Sequence, residues 1–195
     1  MKYTESYYEL SHGTDQQSAE NILSEGFMMG EDSTSWCGKG IYFYDIKNKA
    51  WWAANRKCEQ IKKIQNRKLK SAIVFVDIID IPIESIFDLR VKKNLENFEE
   101  YIKQILKESN EIIVAGIDDE IERKIILRSM FISYYAEKNN CKLVIGHFRQ
   151  RPQKEYEHAI EFANSLDMVF GIETIYCVKD KAIISNIRLG GKKDD

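Results

Sequence analysis

Ser11-His12-Gly13-Thr14 and Gly38-Lys39-Gly40-Ile41-Tyr42-Phe43 are two glycine-bearing motifs about 25 residues apart, and the reading of the chain turns on them. A glycine lets the backbone approach a ligand closely. A histidine beside it can offer a ring nitrogen to a ribose hydroxyl, and a tyrosine emerging on the same side can lay its ring against a flat heteroaromatic group. With a helix between the motifs to bring them together, the pair describes a slot for a nucleotide-like ligand.

The surrounding pattern switches between strand and helix periods. Tyr7 to Leu10 reads as a short strand ending at Ser11-His12-Gly13. Thr14-Asp15-Gln16-Gln17 then has the form of a capping box. A helix follows with Ala19, Ile22 and Leu23 on one face and Gly26 at its left-handed end. Ile41 to Tyr44 is β-rich, and residues 47–66 read as a helix containing Ala50, Trp51, Trp52 and Ala53. Residues 72–79 form the clearest buried strand, β-branched and closed by Pro82. Helices are expected over 92–108 and roughly 118–137. Strands are expected over 143–148 and 174–178, with 182–187 extending the second across a turn. The expectation is an α+β chain with helices inserted between the strands of a mostly antiparallel core, one unit over residues 1–195.

Composition narrows the classes. The chain has 195 residues, 44% of them hydrophobic and 31% charged, and a formal net charge of −2, so no whole-protein field draws it toward nucleic acid or an anionic membrane. No run approaches the roughly 18–20 apolar residues of a membrane span, and MKYTESYYEL lacks the apolar segment of a secretory signal, so a cytoplasmic protein without a membrane role is expected. Cys37, Cys58, Cys141 and Cys177 show neither metal-site nor disulfide spacing, so free thiols and no metal are expected.

The order Ser-His-Gly-Thr, helix, Gly-Phe, polar loop, Gly-Lys-Gly-Ile-Tyr-Phe, Asp45, Lys49-Ala50 resembles the diphtheria-toxin-like or poly(ADP-ribose) polymerase-like ADP-ribosyltransferases over residues 8–54. The resemblance implies their fold, a mostly antiparallel split β core with flanking and inserted helices, and NAD as the substrate. It implies that His12 bonds the nicotinamide-ribose 2′-hydroxyl and that the Gly13 backbone holds the carboxamide. Tyr42 would stack on the nicotinamide, its ring face doing the work, and Thr14 and Gly40 would complete the binding set. The second stacking aromatic usually lies eleven residues beyond that tyrosine; here the position is Ala53, and Trp52 or Trp51 beside it could substitute. Ser33-Thr34-Ser35 matches the arginine-dependent subgroup by chance only, because no arginine precedes Arg56.

The family's third element is a glutamate on a late strand, here within Ile172-Glu173-Thr174-Ile175-Tyr176. Aligning Tyr176 with the family's aromatic puts Ile175 in the glutamate slot, as in members that transfer a single ADP-ribose. Glu173, two residues earlier on the same strand face, is the other candidate. The catalytic set implied is therefore His12, Tyr42 and Glu173.

The activity implied is mono-ADP-ribosyl transfer from NAD to a macromolecular acceptor, with NAD glycohydrolysis and inert NAD or ADP-ribose binding as alternatives. Nucleic acid is favoured over protein as acceptor, because residues 56–70 carry seven basic residues and one acidic one, and Arg149, Arg151 and Lys154 stand near Phe148. Asp118, Asp119, Glu120 and Glu122 segregate the opposite charge. Small members of the superfamily include toxins of toxin–antitoxin and phage-defence systems, so an antitoxin or inhibitor protein is a further expected partner.

Overall fold

Twelve consecutive residues of alternating and β-branched sequence, Thr4–Asp15 and Ser71–Pro82, make the two longest strands, β1 and β3. They pair antiparallel from Thr4↔Pro82 to Asp15↔Ser71, with bulges near Glu5 and Tyr7 that absorb a positive φ at Glu9. In this computed structural model, which describes residues 3–30, 35–108, 119–149 and 172–190, β1 runs straight through the first motif. Ser11-His12-Gly13-Thr14 is therefore strand, not a strand end.

Around this pair the described residues form a seven-stranded sheet and four α-helices. α1 is Gln16–Glu25, β2 Ile41–Tyr44, α2 Lys47–Gln65, β4 Ile86–Asp88 and α3 Lys92–Glu108. α4 is Glu120–Lys138, β5 Leu143–Arg149, β6 Ile172–Val178 and β7 Ile184–Leu189. The strand order is β4-β5-β6-β2-β1-β3-β7, and every neighbouring pair is antiparallel except β4 with β5. The expected α+β class with a mostly antiparallel core is what the structure contains. The expected continuation of the 174–178 strand into 182–187 is not: β7 crosses to the far edge and pairs with β3.

The sheet has a core on each face. On one, Leu10, Phe43, Val74, Val76, Ile78, Ile145 and Tyr176 pack with Ala19 of α1 and Phe27. On the other, Val144, Phe148, Ile175 and Cys177 pack with Ile132 and Ala136 of α4. Each fully buried Ile or Val contributes about 1.5–3 kcal/mol. Ile22 packs against the first core, but Leu23, expected on the same face, is 42% exposed.

Asp15 caps α1, its carboxylate accepting from Ser18 N at 3.0 Å and Ser18 Oγ at 2.6 Å. The cap thus lies one residue later than the expected box, and Thr14 is left free for another partner. Gly26 ends α1 at φ +80°, its N–H on Ile22 O at 2.9 Å, as its sequence position predicts. No described helix is long and apolar enough to cross a membrane.

Candidate functional site

Beyond the single registered pair Ser11↔Tyr44, β1 and β2 diverge: β1 stays with β3 while β2 follows β6. His12 bridges this opening. Its Nδ1 lies 2.8 Å from Tyr42 O. A carbonyl oxygen only accepts, so Nδ1 carries the proton and Nε2 of the neutral ring presents a lone pair. Burial holds the His12 pKa below its ordinary value; the bond to the Tyr42 carbonyl opposes that shift, and the nearby Lys57 charge adds to it. The ring is fixed by edge contacts with Phe27 at 5.3 Å and Phe43 at 5.8 Å. The group best matched to Nε2 is therefore a donor such as a sugar hydroxyl.

A cavity of about 330 Å³ opens beside this ring, lined by His12, Thr14, Ser18, Gly40, Tyr42 and Lys57 among others. It unites four residues that the sequence nominated, His12, Thr14, Gly40 and Tyr42. Gly40 is needed for close packing, since a Cβ there would lie 2.4 Å from Cys177 Sγ.

Lys57 is the residue of this wall that sequence reading missed, having assigned it only to a basic run. Its Nζ meets Thr14 Oγ1 at 2.7 Å, Asp15 Oδ2 at 2.9 Å and Ser18 Oγ at 3.3 Å. These contacts take all three ammonium protons and pin α2 to the β1–α1 junction. Only the long-range fold discloses them.

The carboxyl of Asp15 is held far below the usual range. Burial raises its pKa, but the two Ser18 hydrogen bonds and Lys57 outweigh it. Because the folded pKa is depressed, this contribution to stability is present above about pH 4 and is lost as pH falls below it. Asp15→Asn keeps a capping oxygen but loses the charge paired with Lys57, and should cost about 1–2 kcal/mol at pH 7. It should also flatten the acid limb of a stability-versus-pH curve measured by urea unfolding; an unchanged acid limb would contradict this role.

Tyr42 is placed differently from expectation. Its ring packs with the core on the face opposite His12, beside Cys37, Ile175 and Cys177. Cys37 N donates to the phenol oxygen at 3.0 Å, and the phenol donates to Gly38 O. Burial pushes the phenol pKa well up. Lys179 Nζ holds the same loop through Cys37 O at 2.6 Å. The hydroxyl thus organises the Gly38 turn, so the ring face is not the sole contribution of Tyr42.

The remaining nominated residues, Gly13, Ile175, Trp52 and Glu173, do not line the His12 cavity. Gly13 sits directly under α2, where a Cβ would be 1.9 Å from Ala50 O. Its missing side chain serves helix packing. Ile175 is 1% exposed in the core. Trp52 is 51% exposed on the outer face of α2, with Arg56 Cζ 5.2 Å from its ring centroid. Glu173 is 8% exposed, and its carboxylate pairs with Lys49 of α2.

Glu173 therefore already has a partner, and that partner is not the cavity. Glu173→Gln is expected to lower thermal stability while leaving NAD turnover within about threefold of wild type, because neither Glu173 nor Lys49 lines the His12 cavity. A hundredfold loss of turnover with NAD binding retained would instead place the reaction on the α2 side.

A larger cavity, about 830 Å³, lies between α4 and the Lys39 and Lys179 side chains and contains none of the nominated residues. Among the described residues no cluster of His, Cys, Asp or Glu could hold a metal ion, and all four cysteines are free thiols. Ser33, Thr34, Asp118, the Arg149 side chain, Arg151 and Lys154 lie outside the described residues. No protein-family model matches the chain, and no significant match was found among curated proteins or among solved structures.

Proposed function

We propose that this chain is a mono-ADP-ribosyltransferase that binds NAD at the opening between β1 and β2 and passes its ADP-ribose to a macromolecular acceptor. The observation that carries this reading is His12. A neutral imidazole, fixed by the Tyr42 carbonyl and two aromatic edges, leaves one acceptor nitrogen at a cavity of nucleotide scale. A ribose hydroxyl supplies the matching donor. In the transfer, the bond from ribose C1′ to the nicotinamide nitrogen breaks and its electron pair leaves with nicotinamide. The acceptor's oxygen or nitrogen then bonds to C1′ and releases its proton. His12 orients the sugar through its hydroxyl, and Lys57 holds the Thr14–Asp15 wall in place.

Binding without transfer is the second reading. It is favoured by two placements, the burial of Ile175 and the pairing of Glu173 with Lys49, which together leave the nominated acid away from the cavity. Incubation with NAD labelled in the ADP-ribose and a cell extract, followed by nuclease or protease digestion, separates the outcomes. Label attached to macromolecules supports transfer, and the digestion that frees it gives the acceptor. Free ADP-ribose means hydrolysis, and intact NAD with measurable binding means the inert module.

A further inference from the structure

Two cations of α2 are already paired, Lys49 with Glu173 and Lys57 with Asp15. Arg56, Lys62, Lys63, Arg67, Lys68 and Lys70 are exposed, and among the described ion pairs none of the six has a carboxylate partner. Such a concentration of unneutralised charge stands out in a chain whose overall net charge is −2. Exposed cations elsewhere, such as Lys103 and Lys124, pair at i,i+4 with Glu99 and Glu120.

Helical geometry aligns two of these cations with an aromatic. Ala50, Ala54 and Cys58 are the buried side of α2. At 100° per residue, Trp52, Arg56 and Lys63 fall within a narrow stripe on the opposite side, with Glu59 as its one acid. A large aromatic that is 51% exposed is costly to leave in water, and the Arg56 guanidinium lies 5.2 Å from its ring centroid. From Trp52 to the end of the helix the stripe is about 20 Å long at 1.5 Å per residue, and Arg67, Lys68 and Lys70 continue the charge beyond it.

We propose that the outer face of α2 and the segment that follows it dock a single-stranded nucleic acid, with Trp52 stacking on an unpaired base and Arg56, Lys63, Arg67 and Lys68 holding phosphates. The strand is single because a paired base keeps its faces stacked inside a duplex, whereas an unpaired base can lie on an exposed indole. Phosphate supplies the charge that these six cations find on no carboxylate among the described residues. Docking stands on α2 and residues 66–70 alone; that the docked strand is the acceptor rests on the transfer reading above.

The test uses the full chain without NAD, so failure of the NAD site does not affect it. Fluorescence anisotropy is measured with labelled single-stranded DNA, single-stranded RNA and duplex DNA 20-mers of mixed sequence across a salt series. Preferential binding of at least one single strand is expected, and the stronger arm identifies DNA or RNA. The log–log salt slope should be about −3 for four phosphate contacts, and the combined Arg56→Gln, Lys63→Gln, Arg67→Gln variant should reduce it by about 2. Trp52→Ala should weaken binding about tenfold, Trp52→Phe should restore most of it, and Glu59→Gln should tighten it. Circular dichroism verifies that each variant is folded; the charge variants alter exposed side chains and carry the test even if Trp52→Ala does not fold. No binding at low salt overturns the proposal, as does duplex bound as tightly as single strand, or a strand affinity indifferent to the charge variants.

Discussion

Gly13→Ala is expected to lower the thermal midpoint by about 6–12 °C, the consequence of about 3 kcal/mol of overpacking in a chain of this length. The added Cβ would lie 1.9 Å from Ala50 O and 2.8 Å from Ala54 N. Both obstacles are backbone atoms of α2, so no side-chain rotation relieves them, and Ala50→Gly gives no rescue. The helix must lift from β1. It is tied at both sides of the contact, by Lys49 to Glu173 and by Lys57 to Asp15 and Thr14, so lifting it strains β6 and the cavity wall together. Thermal unfolding followed by circular dichroism measures the effect. A midpoint within about 2 °C of wild type would mean that α2 does not rest on Gly13.

His12→Ala is expected to weaken NAD binding at least tenfold, since an unpaired buried hydrogen-bonding group costs about 1–3 kcal/mol. The substitution also removes the ring between Phe27 and Phe43, so some stability is lost with it. The pH dependence distinguishes a ligand role from a packing role. The His12 pKa is depressed by burial, so the folded ring is neutral at pH 7 and stays so below the ordinary histidine value near 6.5. NAD affinity should be flat from pH 8 to about 6.5 and decline only at lower pH, when protonation of Nε2 destroys the acceptor. Folding stability should follow the same sense, being fully present above the unfolded pKa and falling as pH drops through it toward the depressed folded value. Calorimetric titration of wild type and His12→Ala across pH 5–8 reads both. Equal NAD affinity in the two proteins would remove His12 from the site, and the proposed function with it.

Several features of the fold were legible because their cause is local. Residues 92–108 follow a helical period and form α3 with those bounds. The β-branched run at 72–79 lies inside β3, because side chains of that shape pack on a pleated, buried surface. Gly26 marked the end of α1, since a positive φ there favours the residue without a Cβ. His12, Thr14, Gly40 and Tyr42 were legible as neighbours of one cavity because two glycine motifs flank one short helix.

What stayed hidden depends on partners far along the chain. Whether β7 joins β6 or β3 is a matter of sheet topology, and short apolar strands carry no address for their neighbours. Glu173 read as a candidate catalytic carboxylate, and the fold brings Lys49, 124 residues away, against it. Lys57 read as one charge in a run until the fold placed it on Thr14 and Asp15, 43 and 42 residues distant. Tyr42 and His12 were expected to face one ligand together, but His12 packs with Phe43 on one side of the sheet and the Tyr42 ring with Cys37 and Cys177 on the other. The sequence by itself determined most of the helix and strand segments and the presence of His12, Thr14 and Gly40 at the β1–β2 opening, because backbone propensity and periodicity act within a few residues. Only the tertiary structure decided which face each side chain occupies and which charges are already neutralised, because burial and ion pairing are set by contacts between strands and helices far apart in the chain.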